Sequence, residues 1–177
     1  MAAFLVTGNP GSGKTTLADE LVRRGLLGID PDDDAELSYF EDDAGTPTRK
    51  SESPEQPDEH WLRTHHWVWS RSRLQEIVRQ HQAPLFVCGI AFNIHQVVDL
   101  FERIFLLRID AETQEQRLLA YDAANQKGRN EALRQQIREG RPIFEAQMLE
   151  LGAVVLDGTA PTPAVADQLL ALVGGIR

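Results

Sequence analysis

Residues 8–15 read Gly8-Asn9-Pro10-Gly11-Ser12-Gly13-Lys14-Thr15 and fit the spacing G-x-x-x-x-G-K-[ST], which suits a polyphosphate. The chemistry follows from the residue types. Gly8, Gly11 and Gly13 let the backbone turn tightly and aim successive N–H groups at one anion. Lys14 can reach the β- and γ-phosphates of a nucleotide, and the Thr15 hydroxyl can ligate Mg²⁺. Asn9, Pro10, Ser12 and Thr16 complete the expected nucleotide-binding set.

Such a loop needs a strand before it and a helix after it. Phe4, Leu5 and Val6 make a short apolar run suited to a buried strand. Leu17, Ala18, Leu21 and Val22 then mark one face of a helix whose positive end adds to anion binding. Asp19 with Arg23, and Glu20 with Arg24, have the spacing of i,i+4 pairs, and Gly25 ends the helix. A short strand, 26–29, leads into Asp30-Pro31-Asp32-Asp33-Asp34. Carboxylates at positions i and i+2, at the end of a strand beside the phosphate loop, can face the metal and the group accepting phosphate. Asp33 and Asp34 read as surface.

Residues 38–59 have few apolar side chains and read as an irregular or mobile surface segment. Helical spacing returns through Trp61, Leu62, His65, Val68, Leu74, Ile77 and Val78, and Pro84 stops it before the strand 85–88. Asn93 lies in the loop after that strand and suits either an acceptor contact or a helix cap. A helix is expected around Val97, Val98 and Phe101, and residues 104–109 read as a strand buried on both faces. Helices follow over about 111–123 and from about 131, the second interrupted near Gly140 and Pro142. Residues 153–156 make the last strand and 163–173 the last helix. Five strands alternating with helices imply an α/β fold, a five-stranded parallel sheet with helices on both faces and the ligand at the strands' carboxyl ends.

The chain of 177 residues, 42% hydrophobic and 25% charged, suits one globular domain. The N-terminus lacks a basic region ahead of its apolar run, which argues against a signal peptide, and no apolar run is long enough to span a membrane. The single cysteine, Cys88, sits in an apolar strand and can form no internal disulfide, so a cytoplasmic location is expected. Residues 30–59 hold twelve Asp or Glu against Arg49 and Lys50, a net of −10 within a total of −9. One acidic segment thus rides on a near-neutral body, and no nucleic acid or membrane partner is expected.

Together these residues resemble the small P-loop kinases of the adenylate kinase and shikimate kinase group, and more closely the shikimate-kinase-like and nucleoside-kinase-like bacterial proteins often labelled AAA-family ATPases. The resemblance runs nearly end to end: the loop Gly8–Thr15, Asp30-Pro31-Asp32, Gly89 with Asn93, Phe101–Leu107 into Arg117-Leu118, Lys127-Gly128-Arg129, and Leu156-Asp157-Gly158-Thr159. It implies a three-layer P-loop NTPase sandwich over residues 1–177, with an acceptor-side insertion at about 38–82 and a lid at about 118–131. It also implies ATP and Mg²⁺ as cofactors and transfer of the γ-phosphoryl group to a hydroxyl. Lys14 would then be the phosphate clamp, with Thr15 and Asp30 on the metal and Asp32 orienting or deprotonating the acceptor. The strand 85–88 ends without an acidic residue, and no Asn-Lys-x-Asp segment is present to read guanine. Both features favour a kinase over an ATPase or GTPase switch.

The lid departs from the group's pattern. Where members carry an Arg one helical turn after Arg117, this chain has Tyr121 followed by Asp122. A cation must offset charge on the transferring phosphoryl group, so Arg117 or Arg129 becomes the candidate, with Lys127, Arg134, Arg138 and Arg141 nearby. Trp61, Trp67 and Trp69, clustered with His60, His65 and His66, either pack or line an acceptor pocket. Their acidic surroundings suit a neutral or cationic acceptor such as a nucleoside, a sugar-like compound or an aminated small molecule. The rival reading is a nucleotide-binding protein of little catalysis whose acidic segment docks a basic partner. Either way the loop generates one prediction. Lys14→Ala should leave the fold intact and weaken ATP binding about tenfold or more, as loss of a charged hydrogen-bond donor does. Calorimetry with ATP checks it, and an unchanged affinity would end the phosphate-loop reading.

Overall fold

The computed structural model describes residues 2–55, 57–120 and 131–174. At its centre is β1, Ala3–Thr7, whose five residues are all buried. It pairs in parallel with β6, Leu85–Cys88, on one side and with β7, Arg103–Arg108, on the other. The outer strands are β2, Leu27–Ile29, and β8, Val154–Asp157, so the five-stranded parallel sheet runs β2-β6-β1-β7-β8.

The alternation of side chains along these strands divides the core in two. Ala3 and Leu5, Leu85 and Val87, and Ile104 and Leu106 face one layer, shared with Leu74 and Ile77 of α3, Arg71–Gln80, and Met148 of α5, Glu131–Glu150. Phe4 and Val6, Phe86 and Cys88, and Phe105 and Leu107 face the other. There they meet Leu17 and Leu21 of α1, Lys14–Arg23, with Val165 and Leu169 of α6, Thr162–Leu172. Strands covered by helices on both faces are apolar along their buried span, which is why residues 4–6, 85–88 and 104–107 read as continuous apolar runs. The fold is an α/β sandwich around a five-stranded parallel sheet, as the alternation of elements implied.

Several local expectations give way to longer-range packing. Residues 38–42 are not irregular but form β3, which pairs antiparallel with β4, Pro47–Thr48, and with β5, His65–Trp69. The helical spacing from Trp61 to Val78 is therefore split into α2, Glu59–Thr64, then β5, then α3. His-His-Trp-Val-Trp is aromatic and β-branched, and pairing Phe40 with Trp67 across the strands outweighs the helical periodicity. The remainder of the acidic segment runs as turns and a short 3₁₀ turn at Lys50–Glu52, with most side chains exposed.

Residues 94–100 form two 3₁₀ turns rather than a helix. By contrast α5 runs unbroken past Gly140 and through Pro142. Met148 and Phe144 of α5 pack on the core, Arg138 pairs with Glu115, and Arg108 of β7 with Glu145. These contacts hold the helix across the hydrogen bond that proline cannot donate.

Of the two i,i+4 pairs expected on α1, Glu20–Arg24 forms and Asp19–Arg23 does not. Arg23 binds Glu20, three residues back, through two bonds of 2.7 Å instead of Asp19. Arg24 binds the same carboxylate and reaches Asp167 and the Pro163 carbonyl of α6. These arginine bonds hold the Glu20 carboxyl at about 2, below its ordinary 4.5. A carboxyl depressed on folding stabilises the native state fully above about pH 4.5, and that contribution is lost as pH falls toward 2. Glu20→Gln should accordingly flatten the fall of the urea midpoint between pH 4.5 and 2, relative to the native protein. Parallel midpoint curves for the two proteins would refute the coupling.

Candidate active site

Asn9 to Gly13 turn tightly between β1 and α1, with Gly11 and Gly13 at φ of 84° and 97°. L-residues with side chains rarely enter this region, so both glycines are needed for the turn itself. Gly8 is needed for space, since a Cβ there would lie 2.6 Å from the Leu107 carbonyl oxygen. No side chain caps the start of α1, and a helix N-terminus of this kind suits an anion. The loop forms the floor of a cleft of about 330 Å³, with Leu107, Arg117, Gly158 and Val165 among its walls.

Lys14 folds back over the loop and donates to the Gly8 and Asn9 carbonyls at 2.7 and 3.1 Å. Arg117, on α4, Ala111–Ala120, donates to the Gly11 and Ser12 carbonyls at 3.2 and 3.4 Å. Two cations thus stand at the loop. Arg134 and Arg138 are instead paired with Glu131 and Glu115, and Arg141 donates to the Ile109 carbonyl. Arg129, with Tyr121, Lys127 and Gly128, lies outside the described residues.

Thr15 joins the loop to the next strand. Its hydroxyl donates to Asp30 Oδ2 at 2.7 Å, and Asp30 Oδ1 accepts from the Asp32 N–H at 3.0 Å. Asp30 therefore caps the 3₁₀ turn Pro31–Asp33 that carries Asp32. A hydroxyl and a carboxylate side by side are hard oxygen donors of the kind Mg²⁺ takes alongside phosphate and water. Among the described residues no three His, Cys, Asp or Glu side chains gather as a metal site. Thr15 and Asp30 fit an ion that a nucleotide would share.

Asp32 is held from a second side. Trp67 of β5 donates its indole N–H to Asp32 Oδ1 at 2.8 Å. On Trp67 rest the Phe40 ring, edge-on with centroids 4.7 Å apart, and the Lys50 ammonium at 5.8 Å. Trp61 stacks on His65 at 4.4 Å, and His66 on the exposed Phe92 at 4.1 Å while bonding Asp43. Trp69 is different: it is buried in the core and serves packing.

A family model described as an AAA domain matches residues 5–139. The chain belongs to that family. No curated protein is significantly similar to it in sequence. Among solved structures, this AAA-domain chain resembles shikimate kinase from Acinetobacter baumannii in complex with shikimate, with a TM-score of 0.61 and 19% identity over 98% of this chain and 93% of that one. Deoxyadenosine kinase from M. mycoides, with dCMP and dCDP bound, aligns at 0.58 and 12% over 98% and 100%. A gluconokinase from Sinorhizobium meliloti 1021 aligns at 0.54 and 14% over 96% and 90%. The AAA-domain chain therefore has the fold of the small P-loop kinases.

Asn93 and Gly89 of this AAA domain serve packing, and Cys88 is the buried apolar residue that its strand implied. Asn93 neither caps a helix nor stands open to an acceptor: its amide accepts from the Trp69 N–H and donates to the Trp69 carbonyl, both at 2.9 Å. Cys88 is fully buried, and burial, with the Asp30 charge adding to it, pushes its thiol far up and away from the nucleophilic form. Gly89 is a packing glycine, because a Cβ there would lie 2.6 Å from Trp69 Cζ2 and 2.9 Å from Pro31 Cδ. The Trp67–Asp32 bond was not foreseen. Its partners are 35 residues apart in sequence, and only the clustering of tryptophan beside the acidic segment hinted at it.

The Gly89 contacts are testable. Gly89→Ala should destabilise the protein by about 1–3 kcal/mol, the usual cost of overpacking a core. Adding Trp69→Phe, which removes the clashing ring atom, should make the Gly89→Ala cost smaller. Urea unfolding of the four proteins measures the coupling, and additive effects would contradict this packing.

Proposed function

We propose that this protein is an ATP- and Mg²⁺-dependent kinase that transfers the γ-phosphoryl group to a hydroxyl of a small molecule. One observation carries the reading. The phosphate loop is joined through Thr15 and Asp30 to a second carboxylate, Asp32, that an indole N–H holds in one orientation. A loop built only to bind nucleotide has no use for that second, oriented carboxylate. The kinase folds of the solved relatives support the same reading.

Each residue then has a task. The loop amides and Lys14 bind the β- and γ-phosphates, Lys14 exchanging two carbonyls for phosphate oxygens. Thr15 and Asp30 hold Mg²⁺, which when bound offsets phosphate charge. Trp67 occupies Asp32 Oδ1 and leaves Oδ2 to the acceptor hydroxyl. Asp32 takes the hydroxyl proton as the acceptor oxygen bonds to the γ-phosphorus and the bond to the β–γ bridging oxygen breaks, releasing ADP. Arg117, already at the loop carbonyls, is the described arginine placed to offset the developing charge, and Arg129 is the candidate from the lid.

The acceptor is neutral or cationic on this reading. Of the arginines beside the acidic segment, Arg73 is committed to Asp34 and Glu76 and Arg71 to Asp99. An anionic acceptor would meet a segment of net charge −10 with those two cations already paired. The half-buried aromatic rings around Asp32 suit the apolar face of a nucleoside, a sugar-like compound or an aminated natural product.

Asp32→Asn should lower turnover by roughly 10²–10⁴-fold, the range for loss of a general base, with ATP affinity nearly unchanged. ADP release with pooled nucleosides, sugars and aminoglycosides, measured against a blank without acceptor, is the assay. A fully active Asp32→Asn protein, or a native protein that releases no ADP above the blank, counts against this function.

A further inference from the structure

Gln114 is a buried amide on α4 that none of these steps uses. Only 1% of it is exposed, and its Nε2 donates to the Pro10 carbonyl at 3.1 Å. Pro10 and Gly11 are the corner of a turn that the Ser12 N–H closes on the Asn9 carbonyl at 3.1 Å. Proline followed by a glycine at φ of 84° makes this a type II turn. Type I and type II turns differ by rotating the central peptide roughly half a turn about its neighbours. The central peptide here is the Pro10 carbonyl with the Gly11 N–H.

One helical turn beyond Gln114, Arg117 takes the next two carbonyls, those of Gly11 and Ser12. Residues three apart share a helix face, so three successive loop carbonyls end on one face of α4. The helix also abuts the loop closely: a Cβ on Gly11 would lie 3.6 Å from the Gln114 carbonyl oxygen and 3.7 Å from Arg117 Cβ. In a planar trans peptide the C=O and N–H point in opposite directions. Holding the Pro10 carbonyl toward α4 therefore turns the Gly11 N–H away from it.

We propose that Gln114 is a positioning residue for the phosphate loop, locking the Pro10–Gly11 peptide so that the Gly11 N–H is presented to a bound polyphosphate. The role rests on the phosphate-loop reading but is independent of phosphoryl transfer, so it is tested by binding alone. Gln114→Met keeps the length and bulk of the side chain and removes the donor. The probes are ATP and inorganic tripolyphosphate by calorimetry, and adenosine by ligand-observed NMR.

In Gln114→Met both phosphate ligands should bind about three- to tenfold more weakly, the factor of one net neutral hydrogen bond. Adenosine affinity should be unchanged, and the thermal midpoint should fall by less than about 4 °C. If that variant does not fold, Gln114→Asn, whose amide is too short to reach Pro10, carries the same test. Unchanged tripolyphosphate binding overturns the role of Gln114 while leaving the phosphate loop in place. An equal loss for adenosine overturns it too, since that reports only general damage to the cleft. A native protein that binds neither ATP nor tripolyphosphate overturns the loop reading and this role with it.

Discussion

The structure depends on the glycine turn that sets the first backbone N–H groups of α1 at a helix start with no side-chain cap. Gly13 offers no capping side chain, and its φ of 97° disfavours any residue that would. Unsatisfied amides at a helix end are costly when buried and useful when an anion can reach them. The fold sets this turn at the carboxyl edge of β1, a fully buried strand, where the backbone has little freedom to relax. Rigidity below the loop is thus supplied by the core and reach above it by the open cleft. Lys14, folded onto two carbonyls of its own loop, keeps its charge solvated by the backbone until a better acceptor arrives.

A separate three-stranded sheet supports the carboxylates that follow β2. The strand β2 is short and delivers Asp30 and Asp32 from a three-residue 3₁₀ turn, too small a platform to hold a carboxylate still. The antiparallel strands β3, β4 and β5 supply the missing support through Trp67. Their own core is small: Phe40 touches Trp61 and Trp67, and Trp69 anchors β5 into the main core with Asn93 clasping its backbone. An acidic segment with few apolar residues is thereby held in place by a handful of aromatic contacts. Its carboxylates remain largely in solvent, where charge costs little.

What the sequence reveals here is what depends on local spacing. The phosphate loop, the apolar runs of β1, β6 and β7, the cap of α1 at Gly25 and the acidic turn after β2 are each written within a few consecutive residues. Where the outcome depends on a distant partner, spacing misleads. His65–Trp69 matches a helical period as well as a strand, and only Ser38–Asp42 opposite decides between them. Pro142 is a helix breaker by itself, yet Phe144, Met148 and the ion pairs of Arg138 and Glu145 keep α5 continuous. The links Trp67–Asp32 and Gln114–Pro10 join residues 35 and 104 positions apart, and no motif of either residue type announces them.

The distribution of cations follows from this economy of partners. At the phosphate loop, Lys14 and Arg117 donate to backbone carbonyls. Farther along, Arg134 and Arg138 are held by the carboxylates of Glu115 and Glu131. A charged partner makes the stronger hydrogen bond, and leaving it costs more. An incoming polyphosphate therefore competes easily for Lys14 and Arg117 and poorly for the other two. On the proposed reading, the arginine that serves the reaction is the one whose resting bonds are weakest. That criterion selects Arg117 over Arg134 and Arg138, while Arg141, also on a neutral carbonyl, differs from it in bonding Ile109 rather than the loop.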